Sequence, residues 1–469
     1  MPSLFLRAVA PIARVIPSIK KPEKSPSLRQ KIIWTIIVIV IYIAMSSTPL
    51  YGVPRGAGVD IFWTIRVILA STRGTLAELG IGPIVTGGLI LEILVGSRMI
   101  YVDFSDPEER QLFNEANKAM AIIMTVFESA VYIAGGAFGT LSLNTALIVF
   151  IQLFFAGIII IWLDELVQKG WGLGSGISLF IVAGVATRVF FALFSPILDR
   201  DGLYHGIFLA IIQVATSKDR TFDELILRYE APDLVGLLTT FGIALVVIYV
   251  EMMTIEIPVE SSVYRLRFRY PIKFMYSSNI PVILTGALFA NIMFFSQLLW
   301  SRYQGNFFAS LLGSWTVIGN RPIPTGGLAA FTVPPRGLLY TLDHPYQALG
   351  YFILMVISCY FFAVTWVEIA GIGPDSLAEQ MLSSGLGIPG IRRTKKQMAR
   401  YLEMYVNTAA ALSGVLIGVI AAISDILGAY SSGSGILLAV SILKNLVDEI
   451  ARKHAEELAP RFKRLLLGA

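Results

Sequence analysis

Cysteine is nearly missing from this chain: one residue in 469, Cys359. A lone thiol excludes an internal disulfide and leaves no cysteine cluster for zinc or iron–sulfur chemistry. Histidine is almost as scarce. His205, His344 and His454 fall in loops or in the C-terminal tail of the hydropathy pattern, so none can serve as base to a nucleophile at membrane depth. The glycine-flanked Ser175 and Ser434 belong to no G-x-S-x-G string, and neither H-E-x-x-H nor G-x-x-x-x-G-K-S/T occurs. An intramembrane hydrolase and nucleotide use by this chain therefore lack sequence support. Charge is the third shortage: 15% of residues are charged while 55% are hydrophobic, and the mean hydropathy is +0.71. Such a balance excludes an ordinary soluble domain.

What is abundant is apolar sequence cut into lengths of about 17 to 25 residues, the length one spanning helix needs. Ten such stretches stand near 32–49, 80–97, 117–138, 143–164, 175–194, 234–255, 276–299, 345–369, 404–424 and 433–452. The chain is expected to be an all-α polytopic membrane protein with ten transmembrane helices. A basic leader of residues 1–31 precedes the first stretch, which has only a weak small-residue cleavage signal and is expected to be retained. With ten spans and the N-terminus inside, internal segments carry 26 Lys and Arg and external ones 10, Arg188 being assigned to the fifth span. The bias places both termini in the cytoplasm.

Two strings repeat. "GSGISL" (174–179) opens the fifth stretch and "GSGILL" (433–438) the tenth, while "PIVTGGL" (83–89) in the second is echoed by "PVILTGAL" (281–288) in the seventh. Two halves of five helices, 32–198 and 234–452, are then related by inversion, because an odd count turns the second half over. They are joined by a polar external loop, 199–233, and followed by a tail, 453–469. Glycine- and proline-rich helices at matching positions of inverted repeats point to a pathway. Packing through small residues is the competing reading, and Gly87, Gly88 and Gly286 are open to both.

The second and fifth stretches offer Ile81 with Val85 and Ile177 with Ile181, each pair four apart on one helical face. Such faces are ordinary core by themselves. Around a pore, however, branched aliphatic side chains gate by dewetting and bind nothing tightly, which suits a bulky and chemically varied cargo. Between the first two stretches, the apolar run from Ile61 to Ala70 is too short to cross a bilayer and contains Arg66, so it reads as a re-entrant or interfacial half-helix. A secondary transporter would need a midplane ion site. Its acidic candidates, Glu92, Glu128 and Asp425, are joined by no ion-pair motif. A purely structural scaffold would leave the repeated Gly/Pro helices unexplained.

Four strings, "RGTLAELGIGPIVTGGLILEILVG", "DE...GLGSGISLFI", "YPIKFMYSSNIPVILTGALFANI" and "GSGSGILLAVSI", together resemble the SecY family, the large subunit of the protein-conducting translocon, in its archaeal and eukaryotic branch. The resemblance spans about residues 25 to 455. It implies a channel without enzymatic activity or cofactor, which passes unfolded secretory polypeptides and releases apolar segments sideways into lipid. It also implies a pore ring of Ile81, Val85, Ile177, Ile181, Ile283 and Leu438 (Leu437 being the rival), a plug at about 58–70, and a lateral gate with polar positions Thr86, Glu128 and Asn291. Glu92 stands where the family is expected to carry an amide. Two basic loops, with Arg265, Arg267 and Arg269 in one and Arg392, Arg393 and Lys395 in the other, resemble the sites that meet a ribosome or another cytoplasmic motor. Positive-inside bias alone would produce similar clusters. The implied partners are a SecE-like (gamma) subunit, a small beta-like subunit, signal sequences and nascent chains, in the plasma membrane of a prokaryote, in keeping with the archaeal branch. The external segment 300–344 has no assigned role.

Overall fold

A computed structural model describes residues 4–13, 16–53, 70–97, 99–102, 106–134, 137–139, 141–199, 201–217, 220–229, 231–261, 267–277, 279–303, 305–318, 321–335 and 337–467. The plug segment 58–69 and Arg265 lie outside the described residues.

The first half runs α1 (Leu4–Ala13), α2 (Leu28–Ser47), α3 (Gly82–Gly96), α4 (Pro107–Ala134), α5 (Leu143–Leu166) and α6 (Gly176–Phe194). A linker with α7 (Ile207–Thr216) and α8 (Asp223–Ile226) leads to the second half. That half holds α9 (Leu234–Met252), β1 (Thr254–Ser261), β2 (Arg267–Lys273), α10 (Ile280–Arg302), α11 (Phe307–Leu312), β3 (Ser314–Ile318), β4 (Arg321–Gly326), α12 (Gly327–Ala330), α13 (Leu338–Asp343), α14 (Pro345–Ile369), α15 (Pro374–Ser383), β5 (Leu386–Gly387), α16 (Lys395–Ile426) and α17 (Gly433–Leu467).

Each of the ten apolar stretches coincides with a helix. Among the described residues, eight helices are long and apolar enough to cross a bilayer; α3 is apolar but has only 15 residues, and α17 turns charged along its length. Several helices outrun their apolar stretch. α4 begins at Pro107, α16 at Lys395, and α17 continues to Leu467, because a helix does not stop where the lipid does and its polar turns are invisible to hydropathy. Two small antiparallel sheets are added to the helical frame: β2-β1-β5, and the hairpin β3-β4.

Alternation of the spans puts the start of α3 on the side opposite the termini and the start of α10 on the termini side, and likewise exchanges α17 with α6. The halves are therefore inverted copies. One central core takes residues from both, among them Val38, Ile81, Ile160, Phe180, Val247, Val282, Tyr351, Ile417 and Leu437. α17 belongs to the second half by sequence but packs against α6 and α2 as well as α9.

The described residues of the leader lie as a strap against the first half. Leu6, Ala10 and Ala13 of α1 are buried, Leu6 beside Leu91, Phe113 and Met120, and α1 lies along α4. The next residues are held mostly through their main chain. Trp162 Nε1 donates to the Pro17 carbonyl (3.0 Å), Lys169 Nζ to that of Ile19 and Trp171 Nε1 to that of Lys20 (2.9 Å), while Lys118 Nζ reaches Ser18 Oγ (3.1 Å).

Candidate pore, gate and docking surface

The local chemistry of α3 explains why an apolar span carries so many helix breakers. Gly74 (φ +69°) and Gly80 (φ +54°) serve the turns that lead into the helix, where a left-handed backbone costs a side chain dearly. Glu78, buried, accepts a hydrogen bond from the Gly74 amide, and the Ser71 hydroxyl donates to the Glu78 carbonyl. Pro83 does not interrupt the helix but stands in its first turn, where its missing N–H has no partner to lose; Pro281 does the same for α10. A Cβ on Gly87 would stand 2.9 Å from the Ala121 amide nitrogen, so this glycine lets α3 and α4 touch. Packing accounts for it.

The structure brings the six residues expected of the ring into one large apolar cluster. Ile81, Ile181 and Leu438 are fully buried, Val85 nearly so, and all four belong to the central core, against which the partly buried Ile177 and Ile283 pack. Ile81 is the residue that caps α3, and its carbonyl receives the Val85 amide (3.1 Å), which holds the pair one turn apart. Leu437 is also fully buried in this core.

Two aspartates set where the fifth and tenth spans begin. Asp164 Oδ1 accepts the Ile177 amide (3.1 Å) and its Oδ2 accepts Gln168 Nε2 (2.7 Å). Asp425 Oδ1 accepts the Gly433 amide (2.7 Å) and its Oδ2 accepts the Tyr351 hydroxyl (2.7 Å). Each acid sits at the end of one span and caps the next, in matching places of the two halves, where a helix start favours negative charge. Sequence reasoning passed over Asp164 and saw Asp425 only as a possible transport acid. A carboxylate closing an apolar run just before a Gly-Ser-Gly string was the available signal.

At the seam between halves, α3 touches both α10 and α14. A Cβ on Gly96 would stand 2.6 Å from Thr365 Cγ2 of α14. Thr86 is buried and its hydroxyl faces the half-buried Glu128 carboxylate of α4. Asn291 is not drawn into this contact: its Nδ2 donates to the Ala287 carbonyl of its own helix (2.8 Å). One buried oxygen of Glu92, Oε2, has no hydrogen-bond partner among the described residues.

The two basic loops, far apart in sequence, share one sheet. β1 pairs with β2 (Glu260 opposite Arg267) and with β5 (Glu260 opposite Gly387), and the Arg393 side chain lies over Gly387. Arg267 and Arg269 are about three-quarters exposed, and each meets a glutamate of β1: Arg269 to Glu256 at 2.6 Å, Arg267 to Glu260 at 3.6 Å. Lys395 pairs with Glu379 (2.7 Å), and Arg392 is exposed. The alternation of Ile255, Ile257 and Val259, of which the last two are fully buried, is the period-two signal that could have revealed this strand.

A family model described as SecY matches residues 75–447, and one described as the plug domain of Sec61p matches residues 40–74, a range containing 58–70. Among solved structures, the chain is similar to one reported as a protein-conducting channel, at 35% identity and a TM-score of 0.82, over 96% of this chain and 98% of that one. A SecY structure, from work on a plug domain that stabilises the closed state and maintains a membrane seal, is 34% identical with a TM-score of 0.80 over the same shares. Sec61 in a canine ribosome–channel complex from the endoplasmic reticulum is 34% identical, with a TM-score of 0.78, again over 96% and 98%.

Proposed function

Because this chain belongs to the SecY family of protein-conducting channels, we propose how its own residues carry a polypeptide across a membrane. Ile81, Val85, Ile177, Ile181, Ile283 and Leu438 form the constriction. Their convergence from four helices of both halves on one apolar cluster is the observation that carries this reading. Branched aliphatic side chains exclude water and ions when they meet, and they offer a passing chain neither hydrogen bonds nor charge to bind.

The seam of α3 and α4 against α10 and α14 is the lateral gate. Few polar contacts hold it, and one hydrogen bond across membrane helices is worth roughly 0.6 kcal/mol. A signal segment of about ten strongly apolar residues gains about 3 to 6 kcal/mol on entering lipid. Moving a two-state gate from 1:99 to 99:1 requires about 5.5 kcal/mol. At the upper end of that range the arriving signal alone opens the gate, so the more apolar the signal the more fully it opens, and the energy of translocation comes from the motor that feeds the chain.

The β2-β1-β5 sheet, with Arg267, Arg269, Arg392, Arg393 and Lys395, is the docking face for a ribosome; Sec61 in the canine complex supports this. Clustered guanidinium groups suit RNA phosphates and make the contact salt-dependent. We place this face and both termini in the cytoplasm, the protein in a prokaryotic plasma membrane of the archaeal type, and a SecE-like clamp and a small beta-like subunit beside it. The segment 199–233 joins the halves as the hinge.

The test is cysteine crosslinking. Cys359 is fully buried, so cysteines placed at Ile81 and Ile283 report alone. Both should crosslink to an arrested translocation intermediate. Absence of adducts at both positions, with adducts at outward-facing Leu245, would overturn the ring.

A further inference from the structure

The segment joining the halves contains a helix that is apolar on every face. Of the ten residues of α7, IFLAIIQVAT, only Gln213 and Thr216 are polar, and residues 206–216 carry no charge. One face is used within the protein: Ile207, Ala210 and Val214 are buried together with Leu203, Leu225 and Tyr430. The other carries Phe208 and Ile212, 37% and 59% exposed. Ordinarily a helix that is apolar all round is buried in a large core or in lipid.

Its exposed face continues a surface that already meets the membrane. On α6, a spanning helix, Phe190 and Phe194 stand one turn apart and are exposed. Their rings are 4.9 Å apart, and that of Phe194 is 5.3 Å from the ring of Phe208. The row therefore passes without a gap from the lipid-facing side of α6 onto α7. Among the described charged groups of the segment, Arg228, nearly fully buried, binds Asp199 and Asp201, and Arg220 pairs with Glu224.

We propose that α7 is an interfacial membrane helix, with Phe208 and Ile212 seated among the acyl chains of the leaflet opposite the termini. Aromatic and aliphatic side chains on one face of a short helix, at the level where spanning helices end, are the chemistry of that zone. The connection between the halves is then fixed in depth by lipid, not suspended in water.

Phe208→Cys and Ile212→Cys, labelled with bimane, test this in the complete complex reconstituted into phosphatidylcholine–phosphatidylglycerol vesicles. Asp223→Cys, at an exposed site on α8, is the aqueous control, and the labelled parent, whose Cys359 is buried, is the blank. Lipids with a nitroxide at acyl carbon 5 should lower emission at 208 and 212 at least about twofold, while iodide quenches position 223 and leaves these two nearly untouched. Iodide quenching equal to that at 223 would mean water and defeat the proposal. Protection from both quenchers would mean that a protein partner covers the face, and would defeat it equally.

Discussion

Asp425 illustrates how much a single carboxylate settles in this protein. It accepts from both the Gly433 amide and the Tyr351 hydroxyl, so it joins three helices and sets where α17 begins. Asp425→Ala leaves two buried donors without a partner, at about 1 to 3 kcal/mol each, and should lower the melting temperature of the purified complex. Asp425→Asn keeps the shape and an acceptor, and should recover most of that loss. Arg228 does comparable work in the linker: it donates to Asp199, Asp201 and the carbonyls of Tyr204 and Pro232. Arg228→Met leaves two partly exposed carboxylates and the Tyr204 and Pro232 carbonyls without this donor, and should cost about 1 to 3 kcal/mol and expose the linker to protease. Burial alone would raise Asp201, but the Leu203 amide and the Arg228 guanidinium outweigh it and hold its carboxyl below the ordinary range. A carboxylate depressed in this way stabilises the fold above its unfolded value and ceases to do so as acid titrates it. Protease resistance of the linker should therefore be flat through neutral pH and fall only below the usual carboxylate range.

Among elements, α3 repays the closest reading. Its glycines are contact points, and each predicts a different failure. A Gly87→Ala Cβ meets the backbone of α4, which cannot give way as a side chain can, so about 1 to 3 kcal/mol of stability should be lost. At Gly96 the obstacle is the end of the Thr365 side chain, across the seam. Gly96→Val should wedge α3 from α14 and let less hydrophobic signals open the gate; an unchanged signal threshold in a reconstituted translocation assay would refute the wedge. Glu128→Leu should shift that threshold more than Asn291→Leu, since Glu128 faces α3 while Asn291 is satisfied within α10. The ring residues were placed only by the family resemblance, whereas the spans were legible in the sequence because lipid imposes a length and a composition on whatever crosses it. The sheet beneath the basic loops was not, because Thr254–Ser261 lies at the end of an apolar run whose overall hydropathy hid its alternation. Nor was α7, whose ten residues fall short of a span and sit in a linker read as polar from its flanks.

At the scale of the whole molecule, the halves are clasped on the termini side. There Glu457 accepts the Leu28 amide (2.7 Å) and Glu449 the Gly174 amide (3.0 Å), tying the extended α17 to the first half. On the other side the bonds stay within the second half: the Tyr430 hydroxyl donates to the Asp233 carbonyl (2.6 Å) and its amide to Thr240 Oγ1 (2.9 Å), which fixes the start of α9 to the turn between α16 and α17. On the proposed gating, movement falls to α3 and α4 at the seam, and α1 lies against α4. Deleting residues 1–21 should raise amide exchange in 107–118 at least about tenfold while leaving α9 and α16 unaffected. Uniform acceleration across the chain would show a general loss of stability instead.

The strap behind α1 is gripped by its carbonyl oxygens. Indole and ammonium donors on Trp162, Lys169 and Trp171 find Pro17, Ile19 and Lys20 by atoms that every amino acid possesses. What they recognise is a path and not a spelling. Ser18 aside, whose side chain meets Lys118, these residues can be rewritten and still be grasped, whereas altering the three graspers loosens the stretch whatever its wording.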